Sequence, residues 1–262
     1  MPERRRVQGV QEQLVHTQVR DADELHEVVR SLPWERWISP DQTLAVFAST
    51  QDTESLRHSG FVALRIKDGV VDRIRETCGQ RPSVDTRQPD VPLKAVLHRE
   101  RFLLYRDLAG ASLHKRGCRP AQVRSPLNES IAAGLLDLAG WDQQGVLVDP
   151  MCGSATFLIE AAWKAMDRAP GLTRSFAFEK WIDHDRGIWG ELLEEARSRL
   201  NRTPDVVFEG ADHHGGALSI ANEGLKLAEV DHLVRLRRSD ARDFQPSATP
   251  TMVVTNPPYG HR

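Results

Sequence analysis

The sequence lacks any run of about 18 apolar residues, so no segment of it reads as a membrane-spanning helix. It holds three cysteines, Cys78, Cys118 and Cys152, which lie far apart and form no C-x-x-C pair. That spacing indicates neither a zinc site nor a disulfide framework, and a reducing, cytoplasmic setting is expected. Met1-Pro2-Glu3-Arg4-Arg5-Arg6 has no apolar stretch behind it, which argues against a secretory signal. The chain also lacks the G-x-G-x-x-G of dinucleotide binders and the G-x-x-x-x-G-K-[ST] of P-loops, so neither NAD nor ATP is favoured. The pairs His184-Asp185 and Asp212-His213-His214 are adjacent residues that seldom converge on one ion, and no metal is expected. A net charge of −2 carries no overall nucleic-acid signature. The remaining composition, 27% charged and 40% hydrophobic over 262 residues, is that of a globular chain of two domains.

Near the end of the chain, the apolar run Met252-Val253-Val254 reads as a buried strand that stops at Asn256-Pro257-Pro258-Tyr259. By itself such a tetrapeptide is also a surface turn or a proline-rich ligand motif. At a strand tip it becomes a rigid cradle. Proline fixes φ and has no N–H, so the turn offers carbonyls, the Asn256 amide adds an acceptor, and Tyr259 offers a flat face. This suits a planar substrate with an exocyclic amine, held with its lone pair aimed at an electrophile. The expected electrophile is a methyl group.

A second turn lies about a hundred residues upstream, in Val146-Leu147-Val148-Asp149-Pro150-Met151-Cys152-Gly153-Ser154-Ala155-Thr156, and reads as strand, tight turn and helix. In open α/β sheets ligands sit beyond the carboxyl ends of strands, where small residues let a cofactor approach the backbone. With nucleotide motifs missing, a zwitterionic adenosyl cofactor fits best. Asp149 and the backbone from Cys152 to Ser154 would hold its methionine end. Two further strand-like runs close on Asp212 and Asp240, placing Asp212 to accept from ribose hydroxyls and Asp240 from an adenine amino group. Cys152 reads as small-residue packing rather than a nucleophile, because an amine needs no covalent activation.

These residues resemble the THUMP-containing methyltransferases that modify guanine N2 in bacterial 23S rRNA. The resemblance covers roughly residues 24–262 and includes Leu32-Pro33-Trp34, Ser83-Val84-Asp85, Leu113-His114-Lys115-Arg116-Gly117-Cys118-Arg119, the stretch from Asp149 to Ala162, Asp167-Arg168-Ala169-Pro170-Gly171-Leu172 and Asn256-Pro257-Pro258-Tyr259-Gly260. It implies an α/β architecture: a small α+β THUMP-like domain, then a Rossmann-like class I methyltransferase domain using S-adenosylmethionine. The implied cofactor residues are Asp149, Pro150, Cys152, Gly153, Ser154, Thr156, Asp212, Asp240 and Ala241. The implied catalytic residues are Asn256, Pro257 and Tyr259, and the implied RNA contacts are Lys115, Arg116 and Arg119. The partner implied is rRNA, with no membrane and no metal. DNA adenine N6 and protein glutamine are rival substrates, since their methyltransferases share the Asn-Pro-Pro-Tyr turn. A noncatalytic RNA-binding fragment is the reading from another class.

Two departures stand out: Ala155 replaces the second glycine of a Gly-Ser-Gly-Thr pattern, and Cys118 replaces a tyrosine. If position 155 needs a left-handed backbone, alanine there should weaken the cofactor site. The chain is short for the family and reads as truncated, with an incomplete sheet at its C-terminus.

The expected organisation is a flexible segment over 1–23, a THUMP-like RNA-binding domain over 24–118 and a methyltransferase domain over 119–262. Within the first domain the periodicity predicts a helix over 22–31, a strand over 44–49, a long amphipathic helix over 55–77 and an antiparallel pair over 93–97 and 102–108, with the first strand of the usual RNA-presenting region not recognisable. Residues 119–125 read as a linker and 126–139 as a helix. Four parallel strands are predicted near 145–149, 205–209, 233–238 and 252–255. Between Lys94 and Arg124 lie eight Lys or Arg and two acidic residues, a cationic stripe able to grip phosphates or, more plainly, a solvated hairpin face.

Overall fold

The computed structural model describes residues 9–118 and 127–258, which form two compact units. The first comprises Gly9–Ser112 and Ser175–Arg186. Its mixed sheet has the order β1-β5-β4-β2-β3, with β1 Gln11–Gln18, β2 Thr43–Gln51, β3 Ser83–Val84, β4 Val91–His98 and β5 Arg101–Asp107. Helix α1, Ala22–Arg30, starts where the Asp21 carboxylate accepts the amides of Asp23 and Glu24, satisfying two of the free N–H groups of the first turn. Helix α2, Ser59–Cys78, buries Val62, Ile66, Val70 and Ile74 at a spacing of four, and ends at Gly79 with φ +74°. The two helices pack closely because position 69 is glycine, where a Cβ would stand 3.0 Å from the His26 carbonyl and 3.1 Å from Val29. Trp34 and Phe102 anchor the core, and the Trp34 indole donates to the Val29 carbonyl at 2.7 Å.

Three features of this unit differ from the sequence expectation. Residues 11–18, taken as part of a flexible segment, form an edge strand antiparallel to β5. This supplies the strand that was not recognisable in sequence. Its pattern was hidden because the register shifts between Gln13 and Val15, so the adjacent Leu14 and Val15 break the period-two signal. Strand β3, only two residues long, also escaped notice. Last, Ser175–Arg186, read as part of the second domain, packs into the first unit. Trp181 is buried there and its ring lies 4.1 Å from the Arg106 guanidinium, which also bonds Glu12 at 2.6 Å and Asp183 at 2.7 Å.

The second unit comprises Leu113–Arg174 and the chain from Gly187 onward. Its sheet is wholly parallel in the order β8-β7-β6-β9, with β6 Gly145–Asp149, β7 Val206–Asp212, β8 Val234–Arg238 and β9 Met252–Val253. Helices α3 Glu129–Leu138, α4 Thr156–Ala165, α5 Arg186–Ser198 and α6 Gly215–Leu227 intervene. Strands β6 and β7 are buried along almost their whole length, as expected of a parallel sheet covered on both faces. Trp163 and Phe208 sit at the core, with the Trp163 indole donating to the Ala228 carbonyl at 2.9 Å. The predicted linker at 119–125 lies outside the described residues.

Candidate functional site

The order β7-β6-β9 sends three strand ends to one edge of the sheet. β6 stops at Asp149 and hands over to a turn that enters α4. In this turn the Cys152 amide donates to the Ala211 carbonyl of β7 at 2.8 Å, and the Gly153 amide donates to the Asp212 carboxylate at 3.0 Å. The crossing requires Gly210, where a Cβ would lie 2.6 Å from Leu158 and 3.3 Å from Cys152. Gly153 has φ +53°, and a Cβ built on it would meet nothing within 4 Å, so open space lies over the backbone of the turn. Ser154 and Thr156 place their hydroxyl oxygens 3.2 Å apart. Pro150 is half-buried at the head of this turn.

Ala155 is the N-cap of α4 with φ +61° and ψ +27°, and is fully buried. The left-handed backbone that a glycine would adopt freely is therefore present, held by an alanine at a cost of roughly 1–2 kcal/mol.

Asp149 is 2% exposed. Burial raises its carboxyl to about 7; the Met151 amide and the Thr255 hydroxyl oppose the rise, and the Asp212 carboxylate reinforces it. No lysine or arginine among the described residues pairs with it. The Cys152 thiol is driven well above its ordinary value by burial and by the Asp149 and Asp212 carboxylates, which keeps it protonated and a poor nucleophile.

Asp212 ends β7, and its second oxygen accepts the His214 amide at 2.9 Å. Asp240 follows β8 and bonds Arg242 through both oxygens, at 2.8 and 2.9 Å, so that Arg242 holds its carboxyl well below the usual range. A carboxylate has about four lone-pair directions, so acceptor capacity remains. Ala241 is half-buried in the turn that follows.

On the other flank of β6, Val148 faces Val253 and the Val254 amide donates to the Val148 carbonyl at 3.0 Å. The chain therefore leaves β9 at the same edge at which Asp149 leaves β6, and Asn256, Pro257 and Pro258 follow within three residues of Thr255. Asn256 and Pro258 are exposed and Pro257 is half-buried. Tyr259 lies outside the described residues. Thr255 was missed in sequence, because only the pairing of β9 with β6 brings the start of its turn to the strand end where Asp149 lies, and its hydroxyl acts on that carboxyl.

The cationic stripe is not one surface. Arg116 is 2% exposed, pairs with Glu160 of α4 at 3.1 Å and donates to the Leu113 carbonyl at 2.9 Å. It is corrected from an RNA contact to a buried pair, for its guanidinium is turned inward. Arg106 is likewise internal, and Lys94 bonds the buried Asp107 at 2.7 Å. Lys115 is exposed, and Arg119 lies outside the described residues.

A parallel α/β sheet with small-residue and acidic turns at its carboxyl edge, behind a separate α+β unit, defines the Rossmann-like methyltransferase class. The chain belongs to the family described as RMKL-like, methyltransferase domain, whose profile matches residues 116–262, and residues 19–107 match the THUMP domain. It is 44% identical over 255 residues to a ribosomal RNA large subunit methyltransferase K/L from Syntrophotalea carbinolica, covering 92% of this chain and 35% of the relative. A putative RNA methyltransferase, slr0064, from Synechocystis is 34% identical, with 92% and 63% covered. The chain thus spans about a third of the length of the K/L relatives. Among solved structures, a putative methyltransferase, SMU.472, complexed with SAH superposes with a TM-score of 0.87 at 26% identity, covering 97% of this chain and 67% of the other. A predicted N6-adenine-specific DNA methylase from Listeria monocytogenes gives 0.86 at 29% identity over the same shares.

Proposed function

We propose that the second unit binds S-adenosylmethionine at the carboxyl edge of β6, β7 and β8, and directs its methyl group to the exocyclic N2 amine of a guanine in 23S rRNA, in the cytoplasm. The observation that carries this reading is the shared edge: the Asp149–Ala155 turn and the Asn256–Pro258 turn leave neighbouring parallel strands in the same direction. The donor set suits the cofactor. Open space over Gly153 admits a ligand against the backbone, Asp212 and Asp240 retain acceptor capacity for ribose hydroxyls and an adenine amine, and Asp149 is a buried acid that pairs with no cation among the described residues.

When bound, the cofactor supplies an electrophilic methyl on a positively charged sulfur. The rest falls to the chain. Asp149 offers a carboxylate to an ammonium group, which reverses the penalty that burial imposes on its charge. The Asn256 side-chain oxygen and the Pro257 carbonyl accept the two protons of the guanine amine and orient its lone pair, while Tyr259 stacks on the base, which must first leave its pair. No strong general base is required, because the leaving group is already cationic and the amine proton departs late. The rate advantage comes from positioning two reactants in line.

The first unit, with its THUMP match, is assigned to presenting the RNA, and Lys115 to contacting phosphate. The likeness to the predicted N6-adenine-specific DNA methylase from Listeria keeps adenine N6 of DNA as the rival substrate, since the same cradle accepts any flat exocyclic amine. Transfer of a tritiated methyl to 23S rRNA, DNA and protein decides between them. Incorporation into rRNA, lost on prior guanine-N2 methylation, is expected; incorporation into DNA alone overturns the substrate.

A further inference from the structure

The turn after β6 and the turn after β9 come together at one residue that the proposed chemistry does not use. Thr255 lies between β9 and Asn256, one residue past the Val254 amide that bonds the Val148 carbonyl. Its hydroxyl oxygen is buried and makes no hydrogen bond to the described residues, at a strand end that neighbours the one where Asp149 lies, and it acts on that carboxyl in the direction that favours the charged form. A buried hydroxyl at a strand end is costly unless it has a partner, and valine would fill the same β-branched shape without that cost.

Asp149 meets Asp212 from β7, the Cys152 thiol and the Met151 amide from its own turn, and Thr255 from the end of β9. One of these four is another carboxylate and one a protonated thiol, a weak donor, so the amide and the hydroxyl are the donors best suited to a carboxylate. We propose that Thr255 is a positioning residue: its hydroxyl donates to the Asp149 carboxylate and so ties the start of the substrate turn to the cofactor turn. The proposal rests on the reading of the two turns as halves of one methyl-transfer site. It makes the orientation of Asn256 depend on a group that Asp149 also presents to the cofactor.

The test uses thermal unfolding of the ligand-free chain between pH 5 and 9, which needs no activity. Asp149 titrates in the folded chain at about 7, above its unfolded value, so its contribution to stability is complete at low pH and lost as pH rises through about 7. Thr255→Val should extend that loss to higher pH, Thr255→Ser should track the wild type, and Thr255→Val should add no pH dependence in an Asp149→Asn background. Thr255→Ala replaces the valine variant if the latter does not fold. In calorimetry with S-adenosylmethionine at pH 7, Thr255→Val should bind about tenfold more weakly and Thr255→Ser within about twofold of wild type. Parallel wild-type and Thr255→Val pH curves, or an equal valine effect with Asn at 149, overturn the proposal. Failure of the wild type to bind the cofactor removes the site reading instead, and leaves the unfolding curves to decide the partner of Thr255.

Discussion

The two units bury charge in opposite ways. In the first, Arg106 is enclosed by the Glu12 and Asp183 carboxylates and covered by the ring of Trp181. In the second, Asp149 is as deeply buried but meets another acid and, among the described residues, no cation. A compensated charge fixes a fold, because the cation finds its acceptors inside the molecule. An uncompensated one is stabilised only by something that arrives, and marks the place where a cationic ligand belongs. Arg116 follows the first pattern with Glu160, which is why it holds α4 rather than RNA.

The contrast breaks most visibly by mutation of Arg106. Arg106→Ala leaves two half-exposed carboxylates facing each other and removes the cation over Trp181, and should lower the unfolding free energy by about 2–3 kcal/mol in urea titration. A loss below about 1 kcal/mol would make it an ordinary surface pair. Asn256→Ala comes next: turnover should fall about a hundredfold or more, comparable to removing one preorganised hydrogen-bonding group from an active site, while the cofactor dissociation constant moves by less than about twofold. Equal losses in both would place Asn256 in the cofactor site.

Asp149→Asn sharpens the opposite side of the comparison. Because the folded carboxyl titrates at about 7, removing its charge should leave stability at pH 8 no lower than wild type, and should flatten the fall in stability between about pH 4 and 7, although cofactor binding weakens. A large destabilisation would show that the carboxylate is compensated after all. Smallest is Ala155→Gly: relief of about 1–2 kcal/mol of left-handed strain is offset by about 0.8 kcal/mol for the buried methyl, leaving a gain under about 1 kcal/mol.

Much of this was legible in sequence where the signal is local. β6 and β7 announced themselves as apolar runs, α2 by its spacing of four, and Asp149, Gly153 and Asp212 by the logic of strand ends. β9 also showed as an apolar run, although Val253 is exposed and not buried as that run suggested, and β8 showed itself only through Val234 and Leu236 ahead of Asp240. The pairing of Asp240 with Arg242 is two residues long and was open to the same reasoning. What stayed hidden depends on partners distant in sequence. β1 is polar and carries a bulge, so it shows itself only against β5. The Ser175–Arg186 segment needs Arg106 to explain Trp181. Nothing local distinguishes the buried Arg116 from the exposed Lys115 beside it, since only the facing Glu160 turns one of them inward. Thr255 acquires its meaning from the pairing of β9 with β6, which brings the two strand ends side by side.

The measurement that tests the central claim most directly is calorimetry of S-adenosylmethionine binding to this chain across pH 6 to 8.5. An acid that waits for a cation should bind it more tightly as pH rises through about 7, with proton release at the lower end, and Asp149→Asn should abolish that dependence. No binding, or an affinity that is flat in pH and unchanged in Asp149→Asn, would contradict the account.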